Sequence, residues 1–523
     1  MQVHPTRSAV HLSVAGSLAA VMGVALGSGP VVAWGGAILV GLAIARAVTC
    51  LSVARIRSSG FEMLWRGPQR VRRMGRGEAL EIEAELRNRD ARAARFVELR
   101  AVAAPDLEVR VSPEQGEVPA GGRLKVVVHV IARRVGLHAV HGLSLELQGG
   151  PGLFEVPLTF ANPFGIEVLP RAYTRLNRSN RGGRSRREAE QSRTRPLGGE
   201  SPELRELRQH HPGDPFRRIA WKASARRGEL LVREYEREER DVVFLLLDAS
   251  VELNAGRPGE AAFDRALDEA AAVLTRHLAR GDDVGLGVIG RRVLTWIAPD
   301  RGPGHALRLL EALTRAASPV HADRSGLDEG EVALRVLEHM RPLDPDVAGN
   351  VGPYELDRLA RRADKLRPRA PFANAEVFAN TPRERSLRTY LEAFGLGSPT
   401  RTGPDRLEVD ELLVQALTRA RRERPEPTLI YLWSPPPELG SRSRLVEAVA
   451  RRRGRHAQVL WACLPVQAGI DAPAGAAGVA GRTLTRRARL AAIQGERALR
   501  RLGVQIERVA ADGEARVALG RTR

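Results

Sequence analysis

The run Asp248-Ala249-Ser250-Val251-Glu252 sets three oxygen-bearing side chains at alternate positions. In an extended loop alternate side chains point the same way, and a carboxylate, a hydroxyl and a second carboxylate together suit a hard cation such as Mg²⁺. The plainer alternative is a polar loop that caps the following helix. Other chemistry is sparse. Gly285-Leu286-Gly287-Val288-Ile289-Gly290 fits the dinucleotide pattern in letters only, because it lies within one strand and leads to another strand instead of a helix. No phosphate-loop motif ending in Gly-Lys-Ser/Thr occurs, so the chain is not itself a P-loop ATPase. His210-His211 sits beside a turn without a matching cluster, and no Ser/His/Asp or Cys/His arrangement stands out. The two cysteines, Cys50 and Cys463, lie in apolar surroundings, which excludes a disulfide framework or a cysteine zinc site.

The elements that position Asp248 are legible. Val242 to Leu247 is a continuous apolar run, the mark of a strand covered on both faces, and Asp248 stands at its carboxyl end, where ligands bind in open α/β sheets. A helix follows over Glu260 to Arg280, stopped by Gly281. Strands at Val284 to Ile289 and Val293 to Ile297 surround a tight turn, and a helix runs from Gly304 to Ala317. Strands at Leu429 to Trp433 and Val459 to Leu464 flank a helix around Arg444 to Arg452, and a helix at Thr483 to Leu502 leads to a last strand, Val504 to Val509. The pattern predicts a doubly wound sheet with one antiparallel hairpin. Residues 319–427 interrupt it as a mostly helical insertion, with helices at Gly330 to Met340, Tyr354 to Lys365, Arg383 to Phe394 and Val409 to Arg421, expected beside the carboxyl ends of the strands.

Ahead of this lie two simpler regions. Ser8 to Ala45 holds no Asp, Glu, Lys or Arg and breaks once, at Gly27-Ser28-Gly29-Pro30. Val10 to Leu26 and Val31 to Val48 are each near the lower limit of a membrane span, which predicts a transmembrane hairpin over residues 1–57. Arg7 before it and Arg46, Arg55, Arg57, Arg66 and Arg70 at its end and beyond place both ends in the cytoplasm by the positive-inside rule. The competing reading, a cleaved signal peptide followed by one anchor, lacks a basic leader and a small-residue cleavage site. Residues 58–170 alternate apolar and polar in short runs, predicting an antiparallel β-sandwich of about seven strands. Residues 171–199 form a basic linker or loop, with contact to an anionic membrane surface as the functional alternative. The net charge of +20 over 523 residues comes from 82 basic residues of which only three are Lys. So lopsided a ratio reflects coding bias as much as partners. Two short segments, Arg46 to Arg76 and Arg171 to Arg195, carry 14 of the 20 charges. Both fit a membrane-proximal location better than specific nucleic-acid binding, which usually interleaves aromatics with the basic residues.

Between the two halves stand Leu204-Arg205-Glu206-Leu207-Arg208, then His211-Pro212-Gly213-Asp214-Pro215-Phe216-Arg217-Arg218-Ile219-Ala220-Trp221-Lys222-Ala223-Ser224-Ala225-Arg226, then Gly228-Glu229-Leu230-Leu231-Val232-Arg233-Glu234-Tyr235-Glu236. Physically, Pro212-Gly213-Asp214 is turn chemistry, Ile219 and Trp221 read as apolar anchors two apart as on a strand, and the flanking Arg and Glu can pair across strands. The segment is either a structural cover or a partner-binding surface, carried by Pro212, Gly213, Asp214, Arg218, Trp221, Ser224 and Arg226. If Trp221 is buried, truncation to Ala costs about 3 to 5 kcal/mol.

This order of motifs resembles the signature of the domain of unknown function 58 family, most strongly over Pro196 to Leu313. The Pro163-Phe164-Gly165-Ile166 turn and the overall layout resemble it more loosely. Ala220 departs from the aspartate usual before the tryptophan. The resemblance implies a multidomain bacterial protein: a transmembrane helical hairpin, a β-sandwich-like domain, and an α/β doubly wound von Willebrand factor A-like domain over 200–523 with the helical insertion. It further implies a multi-pass anchor in the inner (plasma) membrane with the body in the cytoplasm, and partnership with a MoxR-type AAA+ ATPase in assembly or maturation of other proteins. The adhesion-site pattern of such domains, Asp-x-Ser-x-Ser with a later Thr and Asp, is matched by Asp248 and Ser250. Glu252 replaces the second serine, Ser434-Pro435 stands for the later Ser-Asp, and the Thr is unassigned, which leaves a degenerate site for Mg²⁺. The expected function is a non-enzymatic scaffold or adaptor. The alternatives are a metal-dependent hydrolase built on Asp248, Ser250 and Glu252, or a membrane-tethered nucleic-acid binder.

Overall fold

The computed structural model describes residues 3–67, 69–149, 151–172, 204–211, 214, 216, 219–235, 241–344, 352, 355–403, 405–437, 442–451, 458–464 and 476–508. The signature residues Pro212, Gly213 and Arg218 and most of the basic linker lie outside them. The chain divides into two compact units, one of residues 1–170 with 317–402, the other of residues 171–316 with 403–523.

In the first unit the short strand β1 (His4–Pro5) leads into helices α1 (Arg7–Ala25) and α2 (Gly29–Ser59). Both are long and apolar enough to cross a membrane. They pack through glycines: a Cβ on Gly35 would lie 2.5 Å from the Ala20 backbone nitrogen, and one on Gly16 would lie 2.9 Å from Ile38. Outward, Val14, Val21, Val24, Leu26 and Trp34 are exposed. α2 has 31 residues, well beyond the expected span. Its last turns present Thr49, Val53 and Ile56 on one face, all buried, and Val53 and Ile56 join the core of the following sandwich.

That sandwich comprises β2 (Phe61–Trp65), β3 (Val71–Gly75), β4 (Ala79–Asn88), β5 (Ala94–Ala103), β6 (Leu107–Ser112), β7 (Gly116–Val118), β8 (Arg123–Ala132), β9 (Gly136–Gln148) and β10 (Phe154–Leu169). One sheet runs β2-β4-β8-β6 and the other β1-β10-β9-β5-β7, with β3 also on β10. Period-two burial in β4 and β8 turns Ile82, Ala84, Leu86, Val126, Val128 and Val130 inward, as alternation requires. All pairings are antiparallel except β3 with β10, where Val71 faces Gly165 in parallel. Residues 317–402 add helices at Glu329–Met340, Leu356–Leu366 and Pro382–Ala393 around their own core, which includes Val336, Leu359, Leu387 and Tyr390. The first starts at a capping box of Asp328 and Glu331, and the third has Thr381 as N-cap with a proline in its first turn.

In the second unit β11 (Leu204–Gln209) and β12 (Leu231–Tyr235) form a two-stranded antiparallel sheet. The main sheet contains β13 (Val242–Asp248), β14 (Asp283–Ile289), β15 (Val293–Asp300), β16 (Leu429–Ser434), β17 (Gln458–Cys463) and β18 (Gln505–Arg508), in the order β15-β14-β13-β16-β17-β18. All neighbours are parallel except the β14-β15 hairpin. Every residue of β13 is buried, since helices cover both faces. Phe244 and Leu246 meet the helices Arg406–Ala420 and Ser443–Ala450, while the helix Ala262–Ala279 packs on β13 and β14. Gly281, at φ 84°, ends that last helix where expected.

One expectation is revised in detail. The segment read as one insertion over 319–427 is divided: residues 317–402 belong to the first unit, while the 406–420 helix buries Val409, Leu413 and Leu417 in the core of the second. Composition is similar on both sides of this division, whereas the burial partner differs. The glycines of the 285–290 run serve packing. A Cβ on Gly285 would lie 2.6 Å from the Phe244 ring, and one on Gly287 would lie 2.8 Å from Leu246.

Candidate functional site

β13 is the point at which the sheet changes direction: the chain proceeds from it to β14 on one side and returns to β16 on the other. Asp248, the last residue of β13, is completely buried at this carboxyl edge. Its Oδ1 accepts from the Ser250 backbone N–H at 3.0 Å and from the Ser250 hydroxyl. Its Oδ2 accepts from Arg406 Nη1 at 2.6 Å, from the Ser434 hydroxyl at 2.6 Å and, at 3.5 Å, from Arg442 Nη2. A carboxylate buried this deeply is pushed up by desolvation, but the charges of Arg406 and Arg442 and the hydroxyl bonds from Ser250 and Ser434 outweigh that and hold it below its ordinary range.

Arg442 holds the network together. It stands just ahead of the Ser443–Ala450 helix at φ 59°, a conformation costly for a side-chain-bearing residue. From there Nε donates to both oxygens of Asp410 at 2.9 Å, Nη2 to Asp410 at 2.7 Å and to Ser434 Oγ at 2.7 Å, and Nη1 to the Pro435 carbonyl at 2.7 Å. Arg406 is the first residue of its helix and is a quarter exposed. Burial opposes its charge, and Asp248, Glu252 and Asp410 together more than compensate, raising its pKa.

Glu252 sits in a 3-10 turn, Val251–Asn254, and points elsewhere: Oε1 accepts from the Asp405 backbone N–H at 2.8 Å, anchoring the start of the 406–420 helix, and Oε2 is buried with no hydrogen-bond partner. The expected convergence of Asp248, Ser250 and Glu252 on one cation is therefore not the arrangement found. The 3-10 turn rotates Glu252 out of the alternation that an extended loop would give, and the Arg406 guanidinium already occupies Oδ2 of Asp248 at 2.6 Å. Among the described residues no group of three or more His, Cys, Asp or Glu is placed to hold a metal. The residues present do not fit Mg²⁺. With its carboxylate stabilised as the anion and both hydroxyls donating to it, the cluster is built to fasten loops together; Asp248 is a weak general base for activating either serine.

The signature segment divides into anchors and surface. Asp214 receives a bidentate pair from Arg208, 2.8 and 2.7 Å, and the His211 backbone N–H at 2.8 Å; the Arg208 bonds chiefly hold its pKa low. Ser224 is buried, donating to the Ala220 carbonyl and accepting from Leu231 N–H at 2.9 Å, which ties the helix Trp221–Arg227 to β12. Ile219 is buried and bridges to Val232. Trp221 is not a strand anchor. It opens the helix, is 60 % exposed, and lies in a segment where Phe216 is 73 % exposed. Lys222, Arg226 and Arg227 on the same helix are exposed as well.

Sequence reasoning missed Arg406, Arg442 and Asp410. A position just past β16 or at the first turn of a helix is the available signal, but the chain's arginine excess hides any single one.

A family model described as Protein of unknown function DUF58 matches residues 206–344, which include the signature, β13 and Asp248. The Uncharacterized protein YeaD of Bacillus subtilis (strain 168) is 34 % identical over 85 residues, 16 % of this chain and 19 % of that protein. The chain thus matches about a fifth of the length of this curated relative. Among solved structures, the ASH / PapD-like domain of human CEP192 is similar at 18 % identity, covering 21 % of this chain and 85 % of that one with a TM-score of 0.17. The C. elegans MSP family member WR4 is similar at 10 % identity, covering 21 % and 96 %, with a TM-score of 0.14. Likenesses this slight carry no functional argument.

Proposed function

We propose that the chain is a membrane-anchored cytosolic scaffold that binds protein partners through its second unit, a von Willebrand factor A-like domain, and that a MoxR-type AAA+ ATPase is among those partners. The observation that carries this reading is the exposure of Trp221 and Phe216 on the signature segment. Large aromatics dominate protein interfaces and are rarely left in water without cause, and the backbone beneath Trp221 is fastened by Ser224, so the ring is displayed on a fixed base. Exposed Lys222, Arg226 and Arg227 favour an acidic partner surface. The two apolar helices support the anchor, and the arginines at their ends support a cytoplasmic body. The test is capture of a MoxR-type ATPase by the full chain in lipid nanodiscs, with and without ATP and Mg²⁺. Trp221→Ala and Arg226→Glu should each weaken capture at least about tenfold, a loss within the range for interface hot spots, with the melting temperature unchanged. Undiminished capture by both variants would move the interface elsewhere, and no capture by the parent chain would sink the ATPase as partner.

A further inference from the structure

We propose that Arg406 is a resident cation of this fold: its guanidinium takes the place at Asp248 where a divalent ion would bind, so the carboxyl edge of the sheet is assembled without metal and Arg406 is the residue that excludes one. The inference is independent of the scaffold reading, because ion uptake is measured on this chain alone.

Three observations carry it. First, the oxygens a hard cation would use are present but committed. Asp248 offers about four lone-pair directions, and five donors already converge on it, from Ser250 twice, Ser434, Arg406 and Arg442. Second, the two arginines are not equivalent. Arg442 is spent on Asp410, Ser434 and the Pro435 carbonyl and only grazes Asp248 at 3.5 Å, so it is a strut. Arg406 has Asp248 as its hydrogen-bond partner among the described residues and stands at the solvent side of the cluster. Third, Glu252 keeps Oε2 buried without a hydrogen-bond partner while its charge acts on Arg406. That carboxylate, with one oxygen uncommitted, is near enough to act on the guanidinium through its charge, and the charge remains when Arg406 is removed. Without Arg406, Asp248 and Asp410 would be left with the guanidinium of Arg442, Glu252 would lose the positive charge that acts on it, and the surplus negative charge would favour a cation in its place. Ser250 and Ser434, freed to turn their lone pairs, would complete an oxygen donor set of the kind Mg²⁺ and Mn²⁺ prefer.

The experiment is a Mn²⁺ titration of the untagged full chain in nanodiscs, following loss of the free aqua-ion signal by electron paramagnetic resonance, with melting temperatures in Mg²⁺ and in EDTA alongside. The parent chain should take up no stoichiometric Mn²⁺ at millimolar concentration and melt identically in both buffers. Arg406→Ala should bind one equivalent at least about tenfold more tightly than the parent, a floor well below what removal of one nearby repelling charge supplies at an effective dielectric near 20, and melt higher in Mg²⁺. Adding Asp248→Asn should abolish that uptake. One equivalent of Mn²⁺ bound by the parent and lost in Asp248→Asn overturns the proposal, as does a folded Arg406→Ala chain with no gain. If Arg406→Ala folds only when Mn²⁺ or Mg²⁺ is supplied, the proposal stands; if neither ion restores it, the uncharged but polar Arg406→Gln chain is titrated, and absence of uptake there also overturns it.

Discussion

Arg442 meets Asp410, Ser434, Pro435 and Asp248 from one guanidinium, and is itself only 4 % exposed in its side chain. Removing one member of so buried a network leaves charge without compensation, which typically costs about 3 to 5 kcal/mol. Arg442→Met is therefore expected to lower the melting temperature of the second unit by several degrees or more, read by circular dichroism; an unchanged transition would mean that Asp410 and Asp248 find other partners. The same cluster sets an acid limit. Asp248 has a folded-state pKa below its ordinary 3.8, so the stability it contributes is full above that value and is lost as pH falls through the lower folded-state value. Asp248→Asn should flatten the acid arm of a stability profile in that window. Asp248 was legible as a site residue because a buried strand ends on it. Its partners were not, since Arg406 and Arg442 come to it from 158 and 194 positions away.

At the scale of elements, the signature segment is a helix pinned onto a two-stranded sheet, with Ile219 and Ser224 holding it and Trp221 outside. Trp221→Ala should consequently change stability by less than about 0.5 kcal/mol, as surface substitutions do, whereas Ile219→Ala should cost about 2 to 5 kcal/mol; chemical denaturation of the pair separates the two roles. A two-residue spacing does not distinguish a strand from the junction of a bridge and a helix, which is why Trp221 read as an anchor. The Pro382–Ala393 helix carries a different liability. Glu392 is buried and its pKa is raised to about 7 by desolvation, with Ser318 donating at 2.7 Å in partial offset. A carboxyl with a raised folded-state pKa stabilises below its unfolded value of 4.5 and loses that contribution as pH climbs through about 7. Raising pH over this interval should weaken the first unit by about 3 kcal/mol at 1.36 kcal/mol per unit, and Glu392→Gln should remove the dependence in a pH series of unfolding midpoints.

Over the whole molecule, α2 is the element that changes how the chain is divided. It does not stop where its apolar run stops: Thr49 fits against Gly149, where a Cβ would lie 2.0 Å from the hydroxyl, Arg55 pairs with Asp90 at 2.9 Å, and Val53 and Ile56 enter the sandwich core. β1 pairs with β10 ahead of α1, so both ends of the hairpin are tied to the sandwich. A fragment beginning at residue 60 should be markedly less stable than one beginning at 46, because each buried Val or Ile side chain lost removes about 1.5 to 3 kcal/mol. Equal melting temperatures for the two fragments would show that the helix end is dispensable.

Local pattern sufficed wherever the decisive interaction lies within one element or its nearest neighbours. The apolar helices, the alternating strands, the buried β13 with Asp248 at its end, and the Gly281 stop all follow from side-chain periodicity and backbone sterics, which a sequence displays directly. Three things depended on the tertiary structure: the division of residues 317–402 from the 406–420 helix, the exposure of Trp221, and the convergence of Arg406 and Arg442 on Asp248. Each depends on which surfaces meet across a long stretch of chain. Residue type says that an arginine can neutralise Asp248, but only the closure of the sheet decides which of 79 arginines does so.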